Sequence, residues 1–474
     1  MINLLIILFA YFVAFLDKPE KTAPQLSPRA VEQRAKWSIP TDQMDYPVSS
    51  TYLSQLRQAG VTKVYHVSRW FNGATVEMDE KTAAKVAKLS FVTSVEMTRD
   101  DSKPTQAPRK RRMRAQVAET MSLSTDAQLA TYNLHPLHNA GYEGQGILMA
   151  ICDGGFYNAN TLSCFRHELE LGHFDFTDDD QYGYDFYGST GTHGTACLST
   201  ISGIRSNYYP SAARAQYYLM RSEENDTESP KEMDNLVAAL EKADSLGVNI
   251  FSVSLGYAWF DNDDWSLPKS ALDGVSTRVS RAATIAARKG MLVCVAAGNE
   301  GNDEEWRTIA VPADADSILT VGAVDTLRHI GYFSSWGPSA DGRVKPEVCA
   351  VGVQTTLLNA GGYIYNSNGT SFATPLLAGM AAALWSALPD ENAMQIRERI
   401  LRSSDRYTDP DPILYGYGIP DAWEAYQMTI PTGFDNGQWE MGNGQSSSRK
   451  LLRNGHLLIL RGDNLYTITG ERVL

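Results

Sequence analysis

Three segments of this chain each carry one side chain able to attack a carbonyl or move a proton, set where an apolar string meets glycine. Ala150-Ile151-Cys152-Asp153-Gly154-Gly155 ends in a carboxylate, Gly191-Thr192-His193-Gly194-Thr195-Ala196 leads an imidazole into a helical stretch, and Gly369-Thr370-Ser371-Phe372-Ala373-Thr374-Pro375 sets a hydroxyl before a long Ala-rich run. Functional groups gather at the carboxyl ends of strands in open α/β sheets, where Asp153 is expected. Pro375 is expected in the first turn of the Ala-rich helix, which seats Ser371 at its N-terminus, where free N–H groups favour developing negative charge. Taken singly, Asp153 reads as a turn cap, His193 as a structural histidine and Ser371 as an N-cap. Their co-occurrence in one α/β pattern is what points to nucleophilic acyl transfer, in which a base activates a hydroxyl and a carboxylate orients the base.

The elements that must hold these groups follow from hydrophobic period. Residues 147–152, 216–220, 250–253, 292–296 and 318–321 are short and apolar on both faces, as strands of a covered parallel sheet must be, and 196–204, 238–246, 279–288 and 374–388 supply helices. One large α/β domain over about residues 120–428 is expected. Ahead of it, residues 50–100 read as a small split β-α-β module with helices at 55–59 and 82–89 and strands at 64–69, 74–78 and 92–97. Pro108-Arg109-Lys110-Arg111-Arg112-Met113-Arg114 follows as an exposed basic linker open to processing. The apolar run from Leu4 to Leu16 is too short to span a bilayer and reads as the core of an export signal. Residues 433–449 are rich in Gly, Asn, Gln and Ser, and Asn454-Gly455 marks a hairpin turn before a strand at 456–460, with the next strand at 465–469.

Composition narrows the functions open to such a chain. Its 474 residues are 43% hydrophobic, which excludes disorder, and its net charge of −13 argues against binding nucleic acid over the whole surface. Five cysteines, mostly inside apolar strings, read as buried thiols rather than a disulfide framework.

The order Asp, His, Ser in these three segments resembles the signature of the subtilisin-like serine proteases (subtilases, the S8 family). Ser254-Leu255-Gly256, Ala296-Ala297-Gly298-Asn299-Glu300-Gly301, Pro312-Ala313-Asp314-Ala315, Phe333-Ser334-Ser335-Trp336-Gly337-Pro338 and Gly416-Tyr417-Gly418-Ile419-Pro420 are similar to that family too. Gly154-Gly155 departs from it, since a hydroxyl residue and then glycine more often follow the Asp. The resemblance implies an α/β, subtilisin-like three-layer domain with a central, mostly parallel sheet, preceded by a small α+β propeptide module. It implies Ser371 as nucleophile, His193 as base, Asp153 as the group orienting the imidazole, and the Asn299 side chain with the Ser371 N–H as oxyanion donors. Ser254, Leu255, Gly256, Ala296, Ala297 and Gly298 then resemble the two walls of the primary specificity pocket, small enough for a large apolar side chain, although Asp303, Glu304 and Glu305 nearby can favour a basic one. Phe71-Asn72-Gly73-Ala74 and Val92-Thr93-Ser94-Val95 resemble the family's inhibitory propeptide, and residues 450–474 a short C-terminal sorting segment of Bacteroidetes proteins.

The expected division is an export signal over 1–20, a propeptide over 21–118 with its basic linker at 109–114, a peptidase domain over 119–430, and a linker with a short β-hairpin tail over 431–474. The expected activity is that of an exported serine endopeptidase made as a zymogen, a monomer acting on protein or peptide substrates and inhibited by its own propeptide. A catalytically silent binding protein or a peptide ligase on the same scaffold are the alternatives. No cofactor is required. Asp178-Asp179-Asp180 and residues 261–264 offer structural calcium ligands but lack a fixed ligand spacing, and solvated acidic loops are the plainer reading.

Overall fold

A strand apolar on both faces must be covered on both, and the larger sheet meets that demand. The computed structural model describes residues 8–20, 22–100, 124–177, 191–224 and 228–429, together with the backbone of strands at 116–117, 448–453, 456–461, 464–467 and 472–473. The basic linker at 109–114, Asp178-Asp179-Asp180 and the Asn454-Gly455 turn lie outside the described residues. The chain divides into two units, Met1–Thr432 and Gly433–Leu474.

In chain order the first unit begins with β1 (Phe9–Phe15), α1 (Pro28–Lys36), α2 (Ser50–Ala59), β2 (Lys63–Ser68), β3 (Gly73–Met78), α3 (Glu80–Val86) and β4 (Val92–Asp100). After β5 (Gln116–Val117), α4 (Asp126–Ala130) and α5 (His135–Asn139) come β6 (Leu148–Asp153), β7 (Glu170–Asp175), α6 (Gly191–Ser202), β8 (Gln216–Arg221), α7 (Pro230–Leu246), β9 (Ile250–Val253), α8 (Arg278–Arg288), β10 (Leu292–Ala296), β11 (Leu319–Val324) and β12 (Val348–Val351). The unit closes with β13 (Thr355–Leu358), β14 (Ile364–Asn368), α9 (Thr370–Ala387), α10 (Ala393–Arg402) and α11 (Ala422–Gln427).

Seven strands form a parallel sheet in the order β12-β11-β10-β9-β6-β8-β7. Side chains alternate between two cores. Met149 and Ile151 join one with Leu376 and Met380 of α9, while Leu148, Ala150 and Cys152 join the other with Leu240 of α7 and Ile285 of α8. The three-layer α/β fold expected from the sequence is present. α7 starts two turns earlier than its apolar pattern suggests, at Pro230, where the Glu232 side chain reaches back to accept from the Ser229 N–H. All five cysteines are buried and free. Among the described residues, no helix is long and apolar enough to cross a membrane.

The N-terminal sheet has the order β2-β3-β1-β4, all pairs antiparallel, with α2 and α3 as its connections. Its inner strand β1 corrects the reading of the apolar run as an export signal. Residues 9–15 pair with β3 on one side and β4 on the other, and Ala10 and Val13 have no exposed surface. A cut at residue 20 would remove the strand that joins the two halves of the sheet. The long connection from β1 to α2 is a second unanticipated feature: instead of closing on the module, it carries α1 onto α7 of the larger region. The second unit is an antiparallel sheet of four strands, β15 (Ser448–Arg453), β16 (His456–Arg461), β17 (Asn464–Thr467) and β18 (Arg472–Val473), where a two-stranded hairpin was expected.

Candidate active site

Parallel strands deliver their carboxyl ends to one edge of the sheet, and Asp153, Ser254 and Asn299 lie at or just beyond three adjacent ends. Asp153 closes β6 with 1% of its surface exposed. Its Oδ1 accepts from the backbone N–H of Gly154 at 2.8 Å, and from His193 Nδ1, also at 2.8 Å, with Oδ2 at 3.0 Å from the same nitrogen. His193, a quarter exposed, lies in the first turn of α6. The helix comes this close because residue 194 is glycine: a Cβ there would stand 2.2 Å from the carbonyl oxygen of Gly155 and 2.9 Å from Asp153 Cβ. Burial lowers the affinity of the imidazole for a proton, but the Asp153 carboxylate outweighs it and holds the His193 pKa well above its ordinary 6.5.

Ser371 is the second residue of α9, within the turn whose N–H groups have no intrahelical acceptor. Pro375 lies inside the helix, not in its first turn as the sequence suggested, and the consequence is local. Residue 375 is the position whose N–H would have bonded the Ser371 carbonyl, and proline has none. That oxygen instead accepts from Ser254 Oγ at 2.8 Å and from Cys197 Sγ at 3.3 Å. Cys197, one turn after His193, also lies 3.8 Å from His193 Nδ1, so one buried thiol touches both the imidazole and the Ser371 main chain. Burial pushes this thiol's pKa up, which keeps it protonated at neutral pH. Asp153, His193 and Cys197 are the one set of three metal-competent side chains that converges among the described residues.

Asn299 follows β10 in a turn that only glycine permits at residue 298, whose φ is +116° and whose Cβ would stand 2.6 Å from both Glu300 Oε2 and Ser335 Oγ. Glu300 staples the turn, its Oε2 accepting from the Asn299 N–H at 2.7 Å and from Ser335 Oγ at 3.0 Å. The Asn299 side chain is aimed by Thr370, whose N–H and hydroxyl both donate to Asn299 Oδ1, at 2.9 and 3.0 Å. With its oxygen occupied, the amide presents Nδ2, a buried donor with no acceptor. An orphaned buried donor costs about 1–3 kcal/mol unless something binds there, and here it flanks the residue before Ser371. Sequence reasoning passed over Thr370 and Glu300, whose one signal is adjacency to Ser371 and Asn299.

The strand register sets the remaining residues. Val253 of β9 pairs with Val295 of β10, so Ser254 and Ala296 leave the sheet side by side. Leu255, Ala296 and Ala297 are buried and Gly256 is exposed. Ser254 was expected only as pocket wall, whereas its hydroxyl holds the Ser371 carbonyl. Asp303, considered as a charge for the same region, caps its own turn by accepting from the N–H groups of Glu305 and Trp306.

The subtilase family profile matches residues 144–418, and a profile of the peptidase S8 propeptide domain of Bacteroidota matches residues 10–115. Subtilisin DY of Bacillus licheniformis is 30% identical over 291 residues, 60% of this chain and 93% of that one. Subtilisin E of Bacillus subtilis is 26% identical over 365 residues, 77% of this chain and 83% of the other. Among solved structures, MycP1 of Mycobacterium smegmatis superposes with a TM-score of 0.55 at 19% identity, over 69% of this chain and 91% of that one, a likeness of fold.

Proposed function

This chain belongs to the subtilase family of serine endopeptidases and carries that family's propeptide domain, and within that frame we propose that it hydrolyses peptide bonds through Asp153, His193 and Ser371. Ser371 Oγ attacks the scissile carbonyl and passes its proton to His193. Asp153 keeps Nδ1 protonated, so that Nε2 is the basic nitrogen, and stabilises the imidazolium that forms. The tetrahedral oxyanion takes hydrogen bonds from Asn299 Nδ2 and the Ser371 N–H. His193 then gives that proton to the leaving amine as the C–N bond breaks, which leaves an acyl-enzyme on Ser371; water attacks the acyl group while His193 takes its proton and returns it to Ser371 Oγ as the acid product departs. No cofactor enters this scheme.

The observation that carries the reading is the buried, acceptor-free amide of Asn299 held beside Ser371 by Thr370. A binding protein that had lost catalysis has no need to keep such a donor. Ser254, Leu255 and Gly256 with Ala296, Ala297 and Gly298 form the two pocket walls in this proposal, which takes a large apolar side chain or a broad range of them. We further propose that the enzyme acts as a monomer outside the cytoplasm, because a domain that blocks the cleft during synthesis suits a peptidase released to act elsewhere. With the apolar run accounted for by β1, cell fractionation is the measurement for export. The test of the chemistry is Ser371→Ala in the full chain. It should abolish hydrolysis of a denatured protein substrate, block labelling by a fluorophosphonate, and accumulate as precursor retaining residues 10–115. A folded Ser371→Ala protein that still hydrolyses the substrate would end the proposal.

A further inference from the structure

The connection from β1 to α2 is built as a closed loop with a tied neck. Lys18 Nζ donates to the carbonyls of Gln43, Tyr46 and Arg69 at 2.6, 2.7 and 2.7 Å, and Glu20 accepts from Ser49 Oγ and the N–H groups of Ser50 and Thr51, so both ends of the loop are fastened to the N-terminal module. Between them, residues 22–46 leave the module and run over the far ends of α7 and α8. The Ser27 N–H donates to the Ser245 carbonyl at 2.8 Å, and Arg29 reaches the carbonyls of Gly247 and Gly146 and Asn249 Oδ1. Trp37 packs on Trp385 near the end of α9, ring centroids 5.5 Å apart, and Ile39 abuts Gly290.

Buried charge joins these contacts. Arg34 grips both oxygens of Asp244 at 2.7 and 2.8 Å and pairs with Asp45 at 2.7 Å, while Lys289 of the larger region meets Asp45 at 2.8 Å and Asp42 at 2.9 Å. Asp244 is shared: Arg69, on the module's own β2–β3 loop, holds its Oδ2 at 2.5 Å. Arg34, Asp45, Asp244 and Lys289 are all under a tenth exposed. A loop with no task beyond linking two elements would be shorter, and it would not place a guanidinium and a carboxylate in a buried network on another domain.

We infer that residues 22–46 are a second docking element, a strap that holds the N-terminal fragment on the peptidase over a surface that meets the module's own contacts only where Arg69 reaches Asp244 and Ser245. The strap's partner is the face made by the C-terminal ends of α7, α8 and α9. Once the linker is cut, the fragment is held at two places, and losing one should speed its release steeply, because two linked contacts act as one multivalent ligand.

The inference rests on reading residues 10–115 as a propeptide severed at its linker, and the experiment is independent of who cuts it. In the full chain carrying Ser371→Ala, the recognition sequence of a foreign endopeptidase is inserted between residues 105 and 108. The chain is cut and diluted, and fragment release is followed by fluorescence. Arg34→Ala should release the fragment roughly a hundredfold faster than the otherwise identical chain, in keeping with removal of one partner from a buried ion pair. Lys289→Met lies outside the fragment and should also speed release, with the fragment's own fold untouched, so it decides the matter if Arg34→Ala unfolds the fragment. Equal release from the parent, Arg34→Ala and Lys289→Met chains, each with native circular dichroism, would overturn the inference.

Discussion

The edge of the large sheet proposed for catalysis and the outer face of α7 both bury polar side chains, but they balance them differently. On α7, carboxylates meet cations: Asp244 faces Arg34 and Arg69, and Asp234 faces Arg278 at 3.0 Å. At the catalytic edge, one carboxylate serves one imidazole, and the Asn299 amide keeps a donor with nothing to bind. Matched burial at Asp244 is the mark of attachment, because that carboxylate has its guanidinium partners only while both surfaces stay together. Mismatched burial marks a place prepared for charge that arrives during a reaction.

The sharpest way to break this comparison is Asp153→Asn. It should lower kcat about 10⁴-fold by leaving His193 in the wrong tautomer. In the parent enzyme, kcat/KM should rise with pH as His193 loses its proton, with a midpoint above 6.5. In the variant that midpoint should move down. Stability has the opposite sign: the His193 pKa is raised by folding, so its contribution is complete below about pH 6.5 and disappears as pH climbs through the folded value. Thermal melting of Ser371→Ala should therefore fall over that range, and a flat profile would mean the pair adds nothing.

Next in size is Asp244→Ala on the matched face. Removing the carboxylate that Arg34 and Arg69 share, which leaves Arg34 with Asp45 alone, should destabilise the uncut chain by about 3 kcal/mol in urea unfolding, while the mature peptidase keeps its kcat. A kcat loss there would erase the distinction between the two regions. Asn299→Ala should cost about a hundred- to a thousandfold in kcat, the loss seen when subtilisin itself is deprived of its oxyanion amide, with KM unchanged. An unchanged kcat in a folded variant would take the amide out of the mechanism and leave it only its bonds to Thr370. The smallest effect is expected at Cys197. Cys197→Val should stay within about tenfold of the parent in kcat and resist a mercurial that inactivates the parent slowly, faster as pH rises, because the buried thiol ionises late. Equal sensitivity of the variant would point to another thiol.

The segments of Asp153, His193 and Ser371 stand out in the sequence because each chemical residue sits against glycines and an apolar string, a local pattern that survives without the fold. The parallel strands were legible for the same reason, since burial on both faces leaves no polar alternation. β1 was not, because Leu4 to Leu16 is as apolar as an export signal must be and as an inner strand must be, and periodicity cannot separate the two. The strap was invisible for a different reason: Arg34 and Asp244 are 210 residues apart, and the apolar residues of 22–46, such as Leu26, Trp37 and Ile39, are scattered among prolines and polar residues without a sustained period. Pro375 was assigned one turn too early, and with it went the reason why Ser254 and Cys197 hold the Ser371 carbonyl.

β1 also fixes an order of events at the ribosome. β1 is made before both of its neighbours and is an inner strand of the sheet, so the module cannot close until β4 has emerged, and it can close as soon as residue 100 has. The α7 and α8 surfaces that it contacts end at residue 288, which at ~5–20 residues per second is made roughly ten to forty seconds later. For that interval a finished template waits for its client, and the strap, whose partners on the peptidase all lie downstream, hangs undocked from its tied neck. A ribosome halted between residues 100 and 230 should therefore carry a module already resistant to added protease, with residues 22–46 as its vulnerable point.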